Sequence, residues 1–252
     1  MSIRHRRLIL QRCLRAAVLA SVIAAPLHAQ AYGDGFLFHE PNVRISVRGG
    51  YSHASAGSDL FAFTTDQLTL KRSDFSGLNA GLELAMPLGR IDLSLDAGYS
   101  RASKGSEFRK FVDNNDRPIE QTTTFQRVPL TANARFNLVS PGRSVGRLAW
   151  IPTTIVPWVG AGAGAIWYRF EQQGDFIDYK TTNVFRDHFI SDGWSPAVQA
   201  MGGVDYSLTP LIAVTADARY LRAKAGLGRD FGGFDKIDLS GISATLGISF
   251  RL

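Results

Sequence analysis

Apolar and polar residues alternate with a period of two along eight separate stretches of this 252-residue chain. That is the pattern of strands with one greasy and one wet face. In residues 43–52, Val43, Ile45, Val47, Gly49 and Tyr51 stand against Arg44, Ser46, Arg48 and Gly50. Residues 78–88 and 91–100 repeat the pattern across a tight turn at 87–90, and 128–138 and 157–168 follow. Residues 197–208 and 212–221 flank a short turn at Thr209 and Pro210. In the last stretch Ile242, Ala244, Leu246, Ile248, Phe250 and Leu252 alternate with Ser243, Thr245, Gly247, Ser249 and Arg251. Periodicity alone leaves open what the apolar faces cover: the shared core of a soluble sandwich, or the lipid around a membrane barrel.

Three features separate these two. The first, third, fifth and seventh connections, near residues 53–77, 101–121, 171–195 and 222–238, are long and polar, whereas the second and sixth are tight turns. Long loops at one end and short turns at the other is the outer-membrane arrangement. The fourth connection, 139–153, departs from it and is expected to be an extended periplasmic turn. Aromatic residues sort by strand direction: Tyr51, Tyr99, Trp167 and Tyr220 fall at the outer ends, and Phe136, Tyr206 and Phe250 at the inner ends. Two such girdles mark two membrane interfaces. Finally, the wet face carries Arg44, Arg48, Arg135, Arg219 and Arg251 with Glu83, Asp92, Asp96, Asp205 and Asp217. Charges in a narrow lumen are costly unless paired, so equal numbers of each sign point to a closed, salt-bridged interior. The expected fold is all-β, an eight-stranded antiparallel up-and-down transmembrane β-barrel over residues 43–252.

The N-terminus reads as an export address. Arg4, Arg6, Arg7, Arg12 and Arg15 precede the apolar run 16–27, and small residues follow at Ala29 and Ala31. Twelve helical residues span only about 18 Å, short of a bilayer core of roughly 30 Å. A cleavable signal peptide over residues 1–31 is expected, with Ala29 the alternative site, then a periplasmic segment at 32–42. Five of the 28 basic residues leave with it, so 23 face 22 acids and the remaining chain is near neutral at +1. The sequence pI of about 9.7 therefore gives no support to nucleic-acid binding. Cys13, the one cysteine, leaves as well.

Thr245, Gly247, Phe250 and Leu252 fill the slots of the C-terminal assembly signal of bacterial outer-membrane barrels. Together with the stretch 157–162 (Pro-Trp-Val-Gly-Ala-Gly) and the strand 217–220 (Asp-Ala-Arg-Tyr), this ending makes the chain resemble the small eight-stranded outer-membrane proteins of the OmpW, OmpX and OmpA-barrel groups. The resemblance implies outer-membrane localisation, insertion by the barrel-assembly machinery, contact with outer-membrane lipid and lipopolysaccharide, and no cofactor.

Candidate chemistry is sparse. His53 and Ser55 match the His-x-Ser spelling of lipid-modifying hydrolases on this scaffold, but no orienting acid lies near in sequence. Asp113, Asn114, Asn115 and Asp116 could offer oxygen ligands to a hard cation, though Asx clusters are ordinary turn material. Gly160, Gly162 and Gly164 share one strand face and leave room for Trp158, Tyr168 or long Arg side chains. Nine loop phenylalanines (Phe61, Phe63, Phe108, Phe111, Phe176, Phe185, Phe189, Phe231, Phe234) are expected to pack as a cap, extend the strands, or form a binding surface. Three functions remain: a non-enzymatic barrel serving envelope integrity or surface interaction, an OmpW-like conduit for small apolar molecules, and a lipid-modifying hydrolase. The first is expected, because a charge-rich lumen favours closure.

Overall fold

The computed structural model describes residues 35–113, 115–146, 148–178, 181 and 183–252; the expected export signal lies outside them. Eight long strands form a ring: β1 Arg44–Ala54, β2 Gly77–Leu88, β3 Ile91–Val112, β4 Pro118–Asn137, β5 Ile155–Ile177, β6 Val184–Ser207, β7 Ile212–Ala225 and β8 Gly241–Arg251. Each pairs antiparallel with its sequence neighbours, and β8 pairs back onto β1 through the register Arg44↔Arg251 to Ala54↔Gly241. Closure leaves no unpaired edge across the membrane zone, the condition for a sheet to sit in lipid.

Side-chain alternation follows the register. Val47, Leu82, Leu84, Leu95, Leu130, Val159, Val198, Leu246 and Ile248 are all exposed on the outer surface. So continuous an apolar surface is that of a lipid-facing wall. The opposite parity buries Arg44, Arg48, Glu83, Asp92, Asp96, Arg135, Asp205, Asp217 and Arg219 in the lumen.

The strands from β3 to β6 run much further than the alternation predicts. They hold 22, 20, 23 and 24 residues, whereas a tilted membrane strand needs about 9–11. Residues 101–112, 118–127, 169–177 and 184–196, expected as loop, are paired strand. Their pattern is inverted. Above the lipid, Phe125, Phe170 and Phe176 turn inward and are buried, while Glu120, Thr122 and Asp187 face out into water. The apolar face switches sides where the solvent outside changes, which breaks the phase of a single alternating stretch.

Two connections also carry structure. The first holds the helix α1, Asp59–Gln67, and the 3-10 turn Arg72–Phe75. The fourth folds as a small hairpin, Gly142–Val145 against Ala149–Pro152.

Candidate functional site

The barrel interior is built in three layers. In the middle, four arginines and five carboxylates interlock. Arg44 reaches Asp92 at 2.7 Å and Glu83 at 3.3 Å. Arg48 holds Asp96 through both terminal nitrogens, at 2.6 and 2.7 Å. Arg219 bridges three acids: Asp217 at 2.7 Å, Asp96 at 2.9 Å and Glu83 at 3.2 Å. Arg135 pairs with Asp205, contacts Asp92 at 3.4 Å, and stacks 4.3 Å from the ring centroid of Trp158. The remaining carboxylate lone pairs accept from Trp158 Nε1 and Thr215 Oγ1 on Asp205, and from Thr245 Oγ1 on Asp217. Space for these long side chains comes partly from Gly81, where a Cβ would lie 2.6 Å from the Arg48 guanidinium. Two cavities inside the lumen that border this layer measure about 40 and 30 Å³, room for about one water each.

Arg251, expected to turn inward either to the lumen's acids or to the periplasmic mouth, lies at the mouth. It makes no ion pair among the described residues, donates to Ser207 Oγ at 2.9 Å, and lies 5.8 Å from the Trp150 ring centroid. It is the last paired residue of β8, at the short-turn mouth, where the nearby Asp92 and Asp205 are already held by Arg44 and Arg135. In its place the lumen holds Arg127, on a part of β4 expected to be loop. Arg127 is buried, donates to Ser52 Oγ at 2.9 Å and to the carbonyls of Leu239 and Ser240, and lies 5.2 Å from the ring centroid of Phe125.

The short-turn mouth is covered by the 142–152 hairpin. Its Trp150 is buried and exchanges two backbone hydrogen bonds with Leu37, at 2.8 and 2.7 Å. Gly142 is required beneath it, since a Cβ there would overlap the indole. The fourth connection, expected as an extended turn, is thus a folded cover, and Trp150 was hidden because four-residue strands give no periodic signal.

The long-loop mouth is filled by an apolar cluster. Leu60, Phe61, Leu68, Leu70 and Phe75 from the first connection meet Phe231, Ile237 and Leu239 from the last, over Phe125, Tyr168 and Phe170 of the wall. Phe61 sits at its centre, with ring centroids 4.6 Å from Phe75, 5.4 Å from Phe125 and 5.7 Å from Phe170. Phe176 and Phe189 form a second pair at 4.6 Å. Phe108, Phe189 and Phe234 pack against the main cluster, whereas Phe63 and Phe185 remain exposed.

Other candidates resolve into local roles. His53 Nδ1 contacts Ser76 Oγ at 3.0 Å, so its hydroxyl partner is not Ser55. Asp113 Oδ1 accepts the backbone N–H groups of Asn115 and Arg117, both at 2.8 Å, which closes a turn. Asn114 lies outside the described residues. The girdle residues Tyr51, Tyr99, Phe136, Tyr206 and Tyr220 are exposed on the outer wall, Trp167 and Phe250 are half-buried there, and Trp194, not anticipated, pairs with Trp167. Of the terminal signal residues, Thr245 faces the lumen, Gly247 passes close to the Arg48 backbone, and Leu252 bonds through its backbone to Val43.

Comparison with known proteins fits this architecture. The chain is similar to an uncharacterized protein of Brucella abortus (strain 2308), 27% identical over 174 residues, or 65% of this chain. It spans 56% of the length of that relative. Among solved structures it is similar to Neisserial surface protein A, at 13% identity and a TM-score of 0.45, covering 84% of this chain and 97% of that one. It is also similar to the outer membrane protein OprG from Pseudomonas aeruginosa, at 14% identity and a TM-score of 0.46, covering 86% and 99%. The sequence profile of the outer membrane protein beta-barrel domain matches residues 17–250. On that match the chain belongs to the outer membrane protein beta-barrel domain family, as a barrel of the bacterial outer membrane.

Proposed function

We propose that the protein is a non-enzymatic structural barrel, sealed to solutes, whose outer hairpins serve surface interaction or envelope integrity. The observation that carries this reading is the stacking of three barriers along one lumen: the Trp150 hairpin, the ion-pair layer and the phenylalanine cluster. A conduit for apolar molecules needs a continuous apolar path. Here four guanidinium groups and five carboxylates lie across it, and moving an apolar solute through would strip them of partners. A hydrolase needs a base oriented by an acid, and the imidazole of His53 is engaged by Ser76. Export by a cleavable signal over residues 1–31 belongs to the same proposal.

Planar-bilayer recordings of the full barrel test the reading: no stable conductance is expected, and reconstituted liposomes should take up small solutes no faster than empty ones. Discrete channels, or uptake of an apolar solute, would overturn it. Release of acyl chains from lipid A by the wild-type protein would overturn the non-enzymatic part. Mass analysis of the protein recovered from the outer membrane should place its N-terminus at residue 32 or 30.

A further inference from the structure

A guanidinium taken out of water needs an anion or a full set of acceptors. Arg127, on β4 above the ion-pair layer, has neither. It is buried, forms no ion pair among the described residues, and donates to Ser52 Oγ and to the carbonyls of Leu239 and Ser240. These bonds use at most three of its five N–H groups. Asp238, next to those carbonyls in sequence, does not meet it. Its two carboxylate oxygens accept the backbone N–H groups of Gly57 and Ser240, at 3.0 Å each.

The guanidinium borders the larger of the two small lumen cavities, of about 40 Å³. Three arginines line this cavity, Arg48, Arg127 and Arg219, against a single carboxylate, Asp96. Asp96 is already held by Arg48 at 2.6 Å and by Arg219 at 2.9 Å. Arg219 is offset by Asp217 and Glu83 as well, so the charge left over is that of Arg127. The rest of the polar lining can donate too, including the hydroxyls of Ser100, directly across from Arg127 on β3, and Ser243, directly across from Ser52 on β8. The other cavity, of about 30 Å³ at the short-turn mouth, matches its three arginines with three carboxylates, Glu40, Asp92 and Asp205. Size narrows the ligand further. A space of about 40 Å³ suits a body of roughly the size of a water or slightly more. A monatomic anion fits it, and the four oxygens of a phosphate or sulfate do not.

We propose that this cavity binds a single halide ion, chloride in ordinary media, against the Arg127 guanidinium and the Ser100 and Ser243 hydroxyls. The ion supplies the counter-charge that the surrounding side chains do not. Arg127 holds the Leu239 and Ser240 carbonyls at the foot of the last connection, and Leu239 belongs to the apolar cluster above. The ion therefore fixes the barrel wall to the base of the phenylalanine cap. The site is defined by Arg127 and its cavity, so it stands or falls independently of whether the lumen conducts.

The test refolds the full chain from urea into detergent micelles in sodium bromide, sodium chloride or sodium gluconate at equal ionic strength, gluconate being too large for the cavity. Crystals grown in bromide should show an anomalous-scattering peak in hydrogen-bonding contact with the Arg127 guanidinium. The unfolding equilibrium constant should be about tenfold smaller in chloride or bromide than in gluconate, the effect of a ligand at about ten times its dissociation constant. Arg127→Met should lose both the peak and the difference between salts. Ser243→Leu, which keeps Arg127 and fills the cavity, should lose both as well. Arg251→Met should retain both, since the cavity beside it already balances its charges. Heat-modifiable migration on gels verifies that each variant is folded. A wild-type cavity holding water only, a peak that survives in Arg127→Met, or equal stability in all three salts would overturn the proposal.

Discussion

A buried arginine is only as stable as its partners, and the lumen holds two opposite cases. Arg219 bridges Asp217, Asp96 and Glu83, so removing it leaves the buried Asp217 without an arginine and Asp96 and Glu83 with one each, Arg48 and Arg44. Arg219→Met is expected to cost about 3–5 kcal/mol, read as a lowered urea midpoint for the barrel in lipid vesicles. Arg251 has no carboxylate partner among the described residues and an unbonded Nη1; Arg251→Met should shift the same midpoint by less than about 1 kcal/mol. If both variants lose equally, the pairing is not what holds the layer. Outside the membrane, the backbone N–H groups of Arg117 and Asn115 hold the Asp113 carboxyl below the usual carboxylate range. A depressed folded value means the turn gains stability above the ordinary carboxylate pKa and loses it as pH falls through the lowered one. The protection factors of the Asn115 and Arg117 amides should hold through the ordinary carboxylate range and fall only as pH drops through the lowered value. Parity directs the four interlocked arginines to the wet face, because one register slip would flip every side chain to the other face. It missed Arg127 because the apolar face changes sides on β4 near that residue, and it left Arg251 open between the acids and the mouth, since parity gives a direction and not a partner.

At the scale of elements, the eight lipid-spanning segments were legible because lipid outside and charge inside give the strongest contrast two strand faces can have. Their extensions were not, because beyond the membrane water lies outside and phenylalanine inside. Nor was α1, whose nine residues are too few to establish a helical period. This helix is held by tertiary burial rather than by its own propensity, which makes its anchor decisive. Phe61→Ala is expected to cost about 3–5 kcal/mol, spent on detaching the 55–76 connection rather than on opening the sheet. Limited proteolysis should then cut within residues 55–76 while the strands stay protected; simultaneous loss of heat-modifiable migration would mean that the cluster supports the whole barrel. At the opposite mouth, Gly142→Val should push the Trp150 indole off its seat over residue 142 and raise its accessibility to an aqueous quencher.

Across the whole molecule, the proposed seal rests on three layers of different physics, and that would make it redundant. The hairpin and the phenylalanine cluster exclude water by packing. The middle layer fills the bore with paired charges that salt cannot screen, because they are buried. A barrel lacking residues 142–152, closed by a short Gly-Ser turn, should therefore remain non-conducting and lose only the local protection of Leu37 and Arg251. A second barrel in which Phe61, Phe75 and Phe231 become serine should also stay closed in bilayers, since the Arg48 and Arg219 pairs still cross the bore. Conductance is expected only when both changes are combined with replacement of Arg44, Arg48, Arg135 and Arg219 by serine, and it should then select for cations, because Glu83, Asp92, Asp96, Asp205 and Asp217 are left facing water. A channel in the hairpin deletion alone would place the barrier at Trp150 and leave the ion-pair layer a role in stability only.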